Sequence, residues 1–573
     1  MSSSKEMREC SAESDALHLA MGWSFEDLSK KHIIIESTYG ESHPGSSHLL
    51  ALSHDVRDGV LESGGRPAMF CCTDMCDGVA QGGVGGYYSL MSRDFICAMC
   101  EIHAMSTMAD GIVLLSSCDK SMPAHIMAAA RLNIPTVIVP GGSMAAGAGF
   151  RACDTMWESR RELWRGKVSE EQYGCIAAGA CPGAGACQQF ATASTMQAMA
   201  EALGMALPGS ALIPVTNTAL SRSAVLAGRQ AVKLAERGLN SREIMTREAF
   251  LNAVTVHAAV GGSANAIMHL IAAANEAGVR LDLDDFDRIH RNTPYMVNVQ
   301  STGKYPTEYF WYAGGLPALM WEIRDLLDLD VMTVTGEPLG ANLEKCHKTG
   351  YYLQRQFLEN YGLDAEEIIS PRSAPRGSDG GIAILKGNIA SIGAVIKHSA
   401  VLPEMMHHTG PAKVFNTEDQ AIEALNSGKI VPGDIIVVFG WGIKTSGMPE
   451  LFRLSDEIAS NDLLARTTAI ITDGRYSGCT RGPAIGYLCP DAADGGEIGY
   501  IRDGDMIEID IPGRRLDLVE GEFEGKNYPG AELLELRRAN MKIDLPEIPG
   551  LPEGGALSVF RQLARSPLLG GNI

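Results

Sequence analysis

Three short segments of the 573-residue chain carry side chains that do chemistry. Cys118, Asp119 and Lys120 stand in a row where the apolar run "GIVLLSS" gives way to the alanine-rich pattern "MPAHIMAAARL". Ligands bind at the carboxyl ends of strands in parallel sheets, so a thiol, a carboxylate and an amine at such an end form a candidate site. Alone, the triplet reads better as a buried thiol, a helix-capping Asp and a surface Lys. The segment "GACPGAGACQQFATAS" adds Cys187, expected just before or at the start of a helix closed by Gly204. Free N–H groups and the helix dipole would favour a thiolate there. "CCTDMCDGVAQGGVGG" adds Cys76 and Asp77 at another strand end, although Asp-Gly is also a common turn. If these strand ends share one edge, Asp77, Asp119 and the thiols of Cys118 and Cys187 surround one cavity. Thiolates suit iron or zinc and carboxylates suit magnesium or manganese, so the mixture points to two metal centres side by side.

Two later segments extend the set. Glu450 in "TSGMPELF" is within reach of an oxygen-seeking metal, and Ser477 in "ITDGRYSGCTRG" sits between Arg475 and glycines. Their ordinary readings are a helix N-terminal Glu and a turn Ser. Cys97 and Cys100 form "CAMC" on an expected helix, where such spacing usually means core packing. With Cys71, Cys72 and Cys76 they would offer zinc ligands, but the paired knuckle spacing is missing. The glycine runs are not phosphate loops, because no Lys-Ser/Thr pair follows them. His407-His408 either line a site or cap a turn, and His257 and His269 read as satisfied core residues.

The elements that must position these residues alternate. "HIIIES", "RPAMFCCTDM", "GIVLLSS" and "PTVIVPGG" read as strands. Helical patterns lie between them, "LLALSHDVRDGVLESGG" closed by glycine and another around Ser92 to Asp110. Strand and helix in alternation imply a parallel sheet covered on both faces. Helical patterns continue through "ATASTMQAMAEALGM", "SAVLAGRQAVKLAERGL" and "REAFLNAVTVHAAVGG". The Pro, Gly, Ser and Arg stretch "SPRSAPRGSDGG" reads as a linker. Short strands with turn residues follow it, which implies a mostly β, barrel-like second domain. The expected division is a lead-in over 1–31, an α/β domain over 32–372 and a β domain over 373–573.

Bulk properties narrow the function. Apolar residues make up 45% of the chain and charged residues 20%, a globular composition. The formal net charge of -21 argues against nucleic-acid and anionic-membrane partners, which need a basic face. No apolar run has transmembrane length. The N-terminal residues lack an apolar signal core, so a cytoplasmic location is expected. The 14 cysteines are too sparse for a disulfide scaffold and are expected to be buried thiols, metal ligands or catalytic groups.

Taken in order, "CDGVAQG", "CDKSMPAHIMAAARLNIPTVIVPGG", "CQQFATASTMQAMAEALGMALPGSA", "GGSANAIMHL", "HTGPAKVF", "GMPE" and "TDGRYSG" resemble the dihydroxy-acid and sugar-acid dehydratases, a family that includes phosphogluconate dehydratase. The resemblance covers nearly all of the chain beyond residue 30. It implies a hydro-lyase that turns a 2,3-dihydroxy acid into a 2-keto acid, using an iron–sulfur cluster, [2Fe–2S] or [4Fe–4S], beside Mg²⁺. It implies Cys118 and Cys187 as cluster ligands and Asp77, Asp119, a carbamylated Lys120 and Glu450 as magnesium ligands. It implies Ser477 as the proton acceptor, with Arg475 and Mg²⁺ lowering its proton affinity, and a homodimer or homotetramer. Many members carry a further cluster cysteine in a "PC" near the N-terminus, where "ESHPGSSHL" has Gly45, so Cys76 stands in as the third thiolate. "CQQFATASTM" and "MCDGVAQG" place the chain nearer the sugar-acid side. The alternative is a dihydroxy-acid dehydratase of branched-chain amino acid synthesis. A rival from another class is a non-catalytic iron–sulfur or zinc protein on the same scaffold.

Overall fold

The computed structural model describes residues 4–573 apart from 154, 479 and 481. The lead-in holds two short helices, Ser4–Cys10 and Ala12–Ala20, where one was expected. Strand β1 (His32–Ser37) has an apolar centre and is buried along its whole length. So is β3 (Gly111–Ser116). Such continuous runs belong to parallel strands covered on both faces. With β2 (Arg66–Cys71) and β4 (Thr136–Pro140) they form a wholly parallel sheet in the order β2-β1-β3-β4.

Two helix groups flank this sheet. Helix α1 (Leu49–Glu62) packs with α5 (Ala219–Arg237). The other group contains α2 (Ser89–Thr107), α3 (Ser121–Leu132), α4 (Thr192–Ala202) and α7 (Asn265–Ala277), with α6 (Arg247–Val260) behind α4. Helix α2 begins one turn earlier than the pattern around Ser92 implied. Helix α3 is alanine-rich and almost wholly buried, since its small side chains let neighbours come close on every side.

The later strands close on themselves. They are β5 (Ala383–Gly387), β6 (Ala390–Ile396), β7 (His407–Phe415), β8 (Ile435–Val438), β9 (Glu450–Leu451), β10 (Ala469–Thr472), β11 (Arg475–Tyr476), β12 (Ala484–Cys489), β13 (Met506–Asp510), β14 (Arg515–Phe523) and β15 (Lys526–Pro529). Eight of them follow the order β13-β7-β8-β10-β12-β6-β5-β14, and β14 pairs back with β13 to complete a barrel. Ile435 and Val437 fill the barrel, while Ile436 and Val438 point outward into the core shared with the helices. A strand buried on both faces explains the unbroken apolar sequence of β8. Strands β9 and β11 form a separate parallel pair beside the barrel. Among the described residues no helix is long and apolar enough to cross a membrane.

Candidate active site

Each functional side chain comes from the end of a regular element. Six residues past β2, Asp77 opens a single helical turn, Asp77–Ala80, with Cys76 immediately before it. Cys118, Asp119 and Lys120 form the turn that joins β3 to α3. They stand in a turn and not on extended backbone, so the turn sets their separate directions. The turn itself sends Cys118 toward His43, 3.9 Å away, and Lys120 toward Asp77. Glu450 lies on β9, directly beside Arg475 on β11, and Ser477 follows β11.

On one side of the site the oxygen ligands converge. One carboxylate oxygen each from Asp77, Asp119 and Glu450 fall within 4.8 Å of one another. The fully buried Lys120 amine reaches between them, 2.6 Å from Asp77, 3.1 Å from Asp119 and 3.9 Å from Glu450. Arg475 is also fully buried and donates to Glu450 at 2.5 Å, to Ser89 Oγ at 2.8 Å and to the Met448 carbonyl at 2.7 Å. Burial pushes the Glu450 carboxyl up, and the nearby Asp77 charge adds to this. Asp119 rises for the same two reasons. Burial also opposes ionisation of Asp77, but Lys120 and Arg475 outweigh it and hold Asp77 well below the usual carboxylate range. The guanidinium of Arg475 therefore bonds the carboxylate side of the site, two residues before Ser477.

On the other side lie the thiols. His43, Cys76 and Cys118 each bring a ligand atom within 4.8 Å of the others. Crowding by Cys76, then burial, raises the Cys118 thiol well above its ordinary range. Cys187 does not stand at a helix start, since α4 begins five residues later at Thr192. Its loop is pinned instead to the segments after β4 and β1: Met144 N donates to the Ala186 carbonyl at 2.8 Å and Gly185 N to the Pro44 carbonyl at 2.9 Å. At Gly185 φ is +116° and a Cβ would sit 2.5 Å from Met144 N, so only glycine lets the loop lie this close. Burial pushes the Cys187 thiol up to about 12, with the Asp119 and Cys76 charges adding to it. The dipole argument for a ready thiolate does not hold here. Bound metal would reverse the balance, because a coordinated thiol gives up its proton.

Cys76, Asp77, Cys118, Asp119, Cys187, Glu450 and Ser477 all line one cavity of about 310 Å³. Lys120 lies behind the wall, against Asp77 and Asp119. His407 and His408 lie elsewhere, on β7: His407 pairs with Asp510, and His408 bonds the Gly433 carbonyl. His257 is satisfied by His290 and the Ser263 carbonyl, whereas His269 leaves one ring nitrogen buried without a partner. Two site residues escaped the sequence reading. Asn265 donates to Glu450 at 2.7 Å and to Thr192 at 2.9 Å, and its signal was its place at the glycine-rich start of α7. His43 stands two residues before Gly45, in the segment noted only for its missing cysteine.

Comparison with known proteins settles the family. Residues 30–342 match the dihydroxy-acid/6-phosphogluconate dehydratase N-terminal model, and residues 367–566 match the corresponding C-terminal model. The chain belongs to the dihydroxy-acid/6-phosphogluconate dehydratase family. Dihydroxy-acid dehydratase of Halothermothrix orenii is 41% identical, covering 93% of this chain and 94% of that one. The enzyme of the same name from Methanothrix thermoacetophila is 40% identical over 97% and 96% of the two chains. As a family member the chain is a hydro-lyase, so the non-catalytic rival is set aside.

Within this dehydratase scaffold Gly45 has a clear steric meaning. A Cβ at position 45 would lie 2.7 Å from Cys118 Sγ and 3.2 Å from His43 Nδ1. The backbone at 45 therefore faces the thiol pocket directly, and any side chain there would enter it.

Proposed function

We propose that this protein dehydrates a 2,3-dihydroxy carboxylic acid with a branched alkyl chain, giving the 2-keto acid. The observation that carries this reading is one cavity with a carboxylate cluster on one side, thiols on the other and Ser477 on its wall. Val79, Met144, Trp157 and Phe452 give the wall an apolar stretch that suits an alkyl chain, beside the polar Gln81, Gln188 and Thr192. The similar relatives are named dihydroxy-acid dehydratases, which supports the same choice. Both observations weigh against the sugar-acid preference read from "CQQFATASTM".

The donor set fits both implied cofactors. Asp77, Asp119 and Glu450 suit a hard cation, and Cys76, Cys118 and Cys187 suit an iron–sulfur cluster with one iron left open. When bound, the cation supplies positive charge to the substrate carboxylate and 2-hydroxyl, and the cluster supplies a Lewis acid to the 3-hydroxyl. As an ammonium, Lys120 already neutralises part of the carboxylate cluster. Carbamylated, it joins the anions and leaves only Arg475 against them, a balance that calls for a divalent cation. Arg475 and Asn265 orient Glu450, and Ser89 holds Asp77. Ser477 accepts the proton from C2 as the C3–oxygen bond breaks. The departing hydroxide takes that proton from Ser477 and leaves as water, which restores the serine alkoxide, and the enol tautomerises to the keto acid.

The test is anaerobic purification followed by keto-acid assays with Mg²⁺ on dihydroxyisovalerate and on five- and six-carbon aldonates. A brown protein that turns over dihydroxyisovalerate with at least about tenfold higher kcat/KM supports the proposal. Preference for an aldonate overturns the substrate assignment. Iron-loaded protein inactive on the whole panel overturns the reaction.

A further inference from the structure

A second group of metal-ligating side chains lies outside the cavity. Cys72 follows β2, Cys100 is on α2 and His125 is on α3, and one ligand atom from each lies within 4.8 Å of the other two. All three are buried, Cys100 and His125 completely. Cys72 and Cys76 are close in sequence, yet they serve different clusters: Cys76 joins His43 and Cys118.

Core packing explains Cys97, a buried thiol one turn earlier on α2. It does not explain His125. Both of its ring nitrogens are buried without a hydrogen-bond partner, which native interiors rarely tolerate. A neutral imidazole with a free ring nitrogen is the form that binds a metal. Glu36 on β1 is fully buried near the Cys72 thiol, with its carboxylate oxygens outside the three-residue group. One of its oxygens accepts from His103 Nδ1 at 2.7 Å, while the other has no partner. Two thiols and an unpartnered imidazole therefore come together, with a buried, unpartnered carboxylate oxygen near by that a side-chain rotation would have to bring in.

We propose that Cys72, Cys100 and His125 bind a structural zinc ion, with Glu36 as the fourth ligand. Two thiolates, an imidazole nitrogen and a carboxylate oxygen complete a tetrahedral shell with no position left for substrate. Binding releases the two thiol protons to solvent and leaves the oxidation state of every partner unchanged. His103 becomes the outer support that orients Glu36. The ion joins β1, the end of β2, α2 and α3, the elements that place Asp77 and the Cys118–Lys120 turn. The missing knuckle spacing does not matter, because the ligands come from four separate elements.

Zinc and iron are counted in the anaerobically purified holoenzyme from zinc-replete cells, and the zinc shell is read by X-ray absorption. The expected result is one zinc per chain in addition to iron, with two sulfurs at about 2.3 Å and two nitrogen or oxygen ligands at about 2.0–2.2 Å. Cys100→Ser should lower zinc affinity by about tenfold or more and leave iron unchanged. Cys118→Ser should lower iron and leave zinc. If Cys100→Ser does not fold, the wild-type absorption spectrum decides. Wild-type protein without zinc after anaerobic incubation with Zn²⁺ overturns the proposal, as does a zinc shell without sulfur. Zinc lost with Cys118→Ser but kept in Cys100→Ser places the ion at the cluster site and also overturns it. So does a Cys72–Cys100 disulfide in the anaerobic protein.

Discussion

At the scale of single residues, the site separates groups that hold charge from Ser477, the serine proposed to accept a proton. Lys120, Arg475 and the three carboxylates are buried together and set one another's ionisation. Ser477 belongs to the cavity wall, and its backbone N–H donates to the Leu451 carbonyl at 3.3 Å. That bond fixes the serine's position without using its hydroxyl. Ser477→Ala is therefore expected to keep iron, sulfide and magnesium at wild-type levels while turnover falls by about 10²–10⁴-fold. Metal analysis beside steady-state rates checks this. Full turnover in the metal-loaded variant would remove Ser477 from the reaction.

At the scale of elements, the geometry depends on how closely helices and loops approach. Helices α1 and α5 touch through a reciprocal pair of glycines. A Cβ on Gly59 would meet the Val225 carbonyl oxygen at 2.0 Å, and one on Gly228 would meet the Val56 carbonyl oxygen at 2.2 Å. Each helix offers backbone to the other, so an added methyl cannot be absorbed by a side-chain rotation. Gly59→Ala gains helix propensity of about 1 kcal/mol. The overpacking outweighs that gain, and a net loss of about 1–2 kcal/mol is expected. Thermal denaturation of the variant beside wild type reads the sign directly, and a raised Tm would show that the helices part without cost. Because this helix pair lies against the sheet away from the cavity, turnover at low temperature should change little.

At the scale of the whole molecule, the site is a seam. Asp77, Asp119 and Lys120 come from the parallel-sheet half, while Glu450, Arg475 and Ser477 come from the barrel half. A cation bound there grips both halves and favours the folded chain by mass action, by about 2.7 kcal/mol at a hundred times its Kd. Tm is therefore expected to rise as Mg²⁺ is added to chelator-treated protein, and the rise should shrink strongly in Glu450→Gln. Calorimetry across a magnesium series measures this. An equal rise in the variant would mean that the cation binds elsewhere.

The sequence by itself determined the chemistry and the alternation of elements. Cysteine, aspartate and lysine in one triplet are rare enough in combination to stand out. Runs with an apolar centre such as "HIIIES" have few alternatives to a strand buried on both faces. Family-specific segments then identified the dehydratase family across nearly the whole chain. What only the tertiary structure decided were distances between parts far apart in sequence. Cys118, Asp119 and Lys120 take their separate directions from a turn. Cys187 is held by a loop pinned near β4 and β1 instead of by a helix dipole, and Arg475 faces the carboxylates. His125 looked like any residue of a buried alanine-rich helix. It became a candidate ligand only when three other elements brought Cys72 and Cys100 around it and Glu36 near by. The physical reason is the same in each case. Local pattern depends on neighbours along the chain, whereas a ligand shell and a satisfied hydrogen bond depend on neighbours in space.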